Sequence, residues 1–112
     1  MTSQQEAQEI NDTVKQVQSL NLTPDQEARD LDTIFMSQDL LTQAIQVLQK
    51  RIDASTNDPT LHRLLGDRYL QAGFPQKARP LYVKAKSLAQ ENANKAEQRL
   101  AQQGLEKTIQ QQ

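Results

Sequence analysis

Cysteine and tryptophan are absent from the 112 residues, and histidine occurs once, at His62. Without cysteine there is no disulfide, no thiolate nucleophile and no cysteine-ligated metal. A lone histidine has no second one with which to build a metal site. Glycine is nearly as scarce, with three in the chain, so no glycine-rich phosphate loop can form. Aromatics make up 4% and do not interleave with basic residues, as stacking on single-stranded nucleic acid would require. No apolar run approaches the ~18 residues of a membrane-spanning helix. Met1 leads into Thr2, Ser3, Gln4 and Gln5 without the apolar core of a signal peptide. Cytoplasm is the default expectation, with a removed signal or anchor in a longer parent left open. Nothing calls for a cofactor.

What is present is polar and helix-forming. Roughly one residue in six is glutamine, a good helix former that keeps a surface polar without charge. Net charge is -1, which does not advertise nucleic acid or an anionic membrane as partner. The charge is nevertheless uneven. Up to Ala44 the acids are Glu6, Glu9, Asp12, Asp25, Glu27, Asp30, Asp32 and Asp39, against Lys15 and Arg29. Bases outnumber acids from Ile45 onward, with Arg63, Arg68, Lys77, Arg79, Lys84 and Lys86 crowded together.

Apolar residues recur at three- and four-residue steps throughout, the mark of amphipathic helices. Ser3 and Glu6 have capping-box spacing, and Ala7, Ile10, Val14 and Val17 follow as a narrow stripe ending near Leu20. Thr23-Pro24-Asp25-Gln26 is a strong helix start, with Leu22 placed to staple back onto the first turn. Ala28, Leu31 and Phe35 form the next stripe, and Leu41, Ala44, Ile45, Leu48 and Ile52 the one after. No glycine separates those two, so one helix from Pro24 to Ala54 competes with two helices broken at Ser37–Asp39. Ser55 to Pro59 is a loop, with Asp58 as N-cap and Pro59 opening a helix of Leu61, Leu64, Leu65 and Tyr69. Gly73 ends that helix and Pro75 starts another, carrying Ala78, Leu81, Tyr82, Ala85 and Leu88. Pro80 should bend or tighten its first turn. Ala93, Ala96 and Leu100 mark a weaker last helix that Gly104 should weaken further, with Thr108 to Gln112 fraying.

Leu65-Gly66, Tyr69, Ala78, Tyr82 and Ala85 stand at spacings that resemble the tetratricopeptide repeat. A step of 34 residues carries that register back to Ala44 and Leu48, and then to Ile10 and Val14. It also favours a break near Ser37–Asp39. The resemblance implies an all-α, right-handed stack of five to six antiparallel helices. Residues 1–22 would be a half repeat or a cap, 23–92 two repeats (25–58 and 59–92), and 93–112 a polar-faced capping helix with a frayed tail. The first repeat is degenerate, with Asp32 and Asp39 where glycines are usual.

In that family the first helix of each pair lines a concave groove. Carried onto this sequence, the groove residues are Arg29, Thr33, Met36, Arg63, Leu64, Asp67 and Leu70. With Arg29 and Arg63 one repeat apart, the groove would be apolar with two cationic handles, suited to a peptide or helix bearing a carboxylate. Thr33 and Leu64 replace the asparagines of the family's carboxylate clamp, which argues against a generic clamp. The resemblance therefore implies a non-enzymatic module binding a protein or peptide partner. The alternative is a self-assembling scaffold in which the acidic half of one copy meets the basic half of another. Carboxylate pairs such as Glu6/Glu9 and Asp30/Asp32 fall on faces read as solvated, where acid–base catalysis is poorly served. Nucleic acid ranks last among partners, His62 reads as a half-buried packing residue, and no metal site is expected.

Overall fold

The computed structural model describes the backbone of residues 3–110. The Ser3 cap expected with Glu6, and residues 111–112 of the tail, lie outside the described residues. Six α-helices follow one another: α1 (Ser3–Gln18), α2 (Pro24–Ser37), α3 (Leu41–Asp53), α4 (Pro59–Gln71), α5 (Pro75–Glu91) and α6 (Lys95–Gln110). The start signals act as their chemistry dictates. Thr23 Oγ1 accepts the N–H of Gln26 at 3.2 Å, and Asp58 Oδ1 accepts that of Thr60 at 2.9 Å. Helix α5 runs unbroken through Pro80.

The break between α2 and α3 falls at residues 38–40, without a glycine. Asp39 takes the left-handed conformation instead, at φ 58°. Asn21, Ser55 and Ala93 do the same at φ 55°, 65° and 53°, and Gly73 sits at φ 90°. For an ordinary L-residue this costs about 1–2 kcal/mol. Hydrogen bonds offset the cost at four of the five connections. In each, the left-handed residue donates its N–H three residues back and the next residue donates five residues back. Leu40 to Phe35 and Phe74 to Tyr69 are both 2.8 Å, and Thr56 to Arg51 and Asn94 to Ala89 repeat the pattern at 3.3 and 2.8 Å.

Neighbouring helices run antiparallel and form two layers. Helices α2, α4 and α6 stand side by side, α4 packing on both of the others. Helices α1, α3 and α5 pack onto that layer but not against one another. The core is Ala28, Leu48, Leu61 and Leu65 between α2, α3 and α4, with Ile45, Leu64 and Leu81 packed around it. Also buried are Tyr82, Ala78, Ala85 and Ala89 of α5 and Ala101 of α6.

Helix α6 departs from its expected reading. Ala96 and Leu100 are exposed, and Ala93 lies in the preceding turn. The buried face is Glu97, Ala101, Gly104 and Thr108, set by what it meets. A Cβ on Gly104 would lie 2.3 Å from Cε1 of Tyr82, so only hydrogen fits there. Gly66 on α4 faces the same ring, and its Cβ would lie 2.9 Å away. Gly104 thus permits close packing where a weakened helix was expected. Thr108 is also not frayed, being fully buried, donating to the Leu105 carbonyl and accepting from Nε of Arg79.

Candidate functional site

Ion pairs tie the three helices of the α2–α4–α6 layer together. Arg68 of α4 reaches Asp32 of α2 through two bonds, Nε–Oδ1 at 2.8 Å and Nη2–Oδ2 at 2.7 Å. The Asp32 side chain is 2% exposed and that of Arg68 14%, so this acid does not lie on a solvated face. A buried carboxylate needs a cation with good geometry, and a two-pronged guanidinium supplies it. The hydrogen bond to Asp32 outweighs burial and holds the Arg68 pKa above its ordinary value.

A second network lies between α4 and α6. Arg63 donates from Nε and Nη2 to Glu97 at 2.7 and 3.1 Å, and from Nη1 to Asp67 at 3.0 Å. Thr60 also donates to Glu97, at 3.1 Å. The Tyr82 hydroxyl arrives from α5 between the two glycines and donates to the other oxygen of Asp67 at 2.5 Å. Burial works against the charge on Arg63, yet Glu97 and Asp67 together raise its pKa. Burial, then the bond to Asp67, pushes the Tyr82 hydroxyl far above the usual phenol value.

These contacts sort the expected groove residues. Arg63 and Asp67 are brought together, but within a network that holds α4 to α6. Leu64 packs against the core. Met36 and Leu70 are half-buried, and Thr33 is exposed with its hydroxyl donating to the Arg29 carbonyl. Arg29 is the more accessible of the two cations, 38% exposed and 3.6 Å from the Asp58 carboxylate. Together with Leu22, Gln26, Asp30 and Thr33 it lines a cleft of about 290 Å³. Glu97, which neutralises Arg63, was not anticipated. Its signal was there, since Arg29, Arg63 and Glu97 recur at 34-residue steps and the last reverses the charge.

Part of the charge pattern resolves within the chain. Asp25 accepts from Arg51 at 3.1 Å and from the Thr56 hydroxyl at 2.8 Å, and Asp32 meets Arg68. Acids of the first half therefore meet bases of the second inside one molecule. Of the crowded bases, Lys77 lies over the rings of Tyr69 and Phe74, and Lys86 donates to Gln102. His62 is buried rather than half-buried. Its Nε2 lies 2.9 Å from the Thr56 carbonyl oxygen, and its Nδ1 has no partner. Among the described residues no group of three or more His, Cys, Asp or Glu side chains is placed to hold a metal ion. Nor is any described helix long and apolar enough to cross a membrane.

The arrangement matches a known one. The crystal structure of PcrH from Pseudomonas aeruginosa shares it with a TM-score of 0.77, over 95% of this chain and 83% of that one. The fold is tetratricopeptide-like. At 23% identity the likeness concerns the fold alone. No family model and no curated protein sequence matches this chain.

Proposed function

We propose that this chain is a non-enzymatic module that binds a segment of a partner protein on the α2–α4 part of its continuous layer. The observation that carries this reading is Arg29. Of the arginines on α2 and α4 it is the half-exposed one, beside an open cleft, whereas Arg63 and Arg68 are committed to buried carboxylates. A partner carboxylate would compete with Asp58 for Arg29 at little cost, because the existing pair is long and partly solvated. Thr33, Met36 and Leu70 would supply flanking contacts, while Arg63, Leu64 and Asp67 would shape the surface from below.

A photo-crosslinker placed at Thr33 in the full chain tests this. It should label a protein partner in extract of the source cells, and Arg29→Glu should abolish the label. Labelling that survives Arg29→Glu, or that arises equally from a crosslinker at Lys84 on α5, would overturn the reading.

Self-assembly rests on what remains exposed at the two ends. Glu6, Glu9 and Asp12 are exposed on α1, and Lys95, Arg99 and Lys107 on α6. End-to-end association through these charges would show as a mass that falls with added salt in light scattering. A monomer mass at low salt would remove it.

A further inference from the structure

The outer layer is discontinuous, and its two gaps differ. Between α3 and α5, Lys77 lies over Tyr69 and Phe74, and the Tyr69 hydroxyl donates to Gln49 at 2.9 Å. Between α1 and α3 lies an open cleft of about 630 Å³, within the range of ordinary ligand sites. Its floor is apolar, formed by Val14, Leu31, Phe35, Val47 and Tyr69.

The rim is made of amides. Gln18 stands on the α1 side and Gln43 and Gln46 on the α3 side. Among the described residues, none of these three side chains makes a hydrogen bond within the chain. Gln49 differs, since it accepts from Tyr69 and donates to Asp53 at 2.9 Å. The only charges at the rim, Lys50 and Asp53, sit at one end and cancel.

We propose that this cleft binds an extended, uncharged segment of a partner protein. Large apolar side chains would enter the floor, and backbone amides would pair with Gln18, Gln43 and Gln46. Each glutamine amide offers both a donor and an acceptor, as an extended backbone requires. A helix satisfies its own backbone and would leave those amides without use. An acidic segment would lose hydration against a wall that carries no net charge, one cation standing with one carboxylate. The length also fits. From Gln43 to Asp53 is ten helical steps along α3, about 15 Å at the helical rise. Four or five residues of strand at about 3.3 Å each cover it. The site lies on the other side of the α2–α4 layer from Arg29 and stands independently of the reading above.

The test is an NMR titration of the isotope-labelled full chain with a capped, uncharged hexapeptide alternating serine and leucine. Amide shifts should centre on Val14, Val47 and Tyr69 and spare Arg29 and Thr33. Gln43→Ala and Gln46→Ala, which favour the helix they stand on, should each weaken binding about fivefold. N-methylating the peptide backbone should weaken it at least as much, and Arg29→Ala should change nothing. Absence of shifts at millimolar peptide, shifts centred on α2 and α4, or undiminished binding of the N-methylated peptide would each overturn the proposal. So would tighter binding of a leucine–glutamine helix than of the extended peptide.

Discussion

Tyr82 and Leu48 stand at corresponding positions of the 34-residue register, and their surroundings are filled in different ways. Tyr82 follows Leu48 by 34 positions, as Gly66 follows Asp32. In the later repeat a large ring lies against two glycines, and its hydroxyl reaches a carboxylate on the far side of the layer. In the earlier one the apolar residue is smaller, and the glycine position carries a buried aspartate bonded to the next repeat's arginine. One region is held by shape and the other by charge. Tight packing tolerates no added atom, whereas a buried carboxylate tolerates no loss of its cation.

Removing the ring should have the largest effect. Tyr82→Ala opens a cavity between α4, α5 and α6 and should cost about 3–5 kcal/mol, read from urea unfolding. On the charged side, Arg68→Ala leaves Asp32 buried and alone, and should cost about 3 kcal/mol. Asp32→Ala should cost distinctly less, because Arg68 can turn toward water. Equal costs would mean that the pair is not buried in solution.

Gly104→Ala sharpens the claim about shape. Overpacking against Tyr82 should outweigh the helix-propensity gain of about 1 kcal/mol and leave a net loss of about 1–2 kcal/mol. In a Tyr82→Leu background the same change should become stabilising. A loss that persists there would place the constraint elsewhere. The smallest effect concerns alkaline pH. A tyrosine whose folded pKa is raised stabilises the fold below the unfolded value of about 10 and loses that contribution as pH rises beyond it. Stability should therefore decline above about pH 10, and Tyr82→Phe should shallow the decline while costing about 1 kcal/mol at neutral pH.

Helix positions were legible because apolar spacing and end signals are local. Thr23, Asp58, Pro59 and Gly73 state their roles without reference to anything distant. The break at Ser37–Asp39 was legible through the repeat register, although its left-handed residue is an aspartate. Helix α6 was misread because its apolar residues, Ala96 and Leu100, are not the ones that pack. A face of Glu97, Ala101, Gly104 and Thr108 becomes a packing face only opposite Tyr82 and Arg63. The expected groove residues lie on α2 and α4, and the accessibility of each depended on partners far along the chain. Arg63 reads like Arg29 until Glu97 is placed beside it.

By itself, then, the sequence determined a run of five to six amphipathic helices, most of their end signals and a 34-residue register, because turns and periodicities depend on neighbours within a few residues. Only the tertiary structure decided which charges stay available. Arg29 remains accessible, whereas Arg63, Arg68 and Asp32 are bound inside the fold. It also decided that α1 and α3 stand apart over an apolar floor. Both outcomes arise from contacts between residues tens of positions apart, where the energy of a charge or a glycine depends on what the fold sets against it.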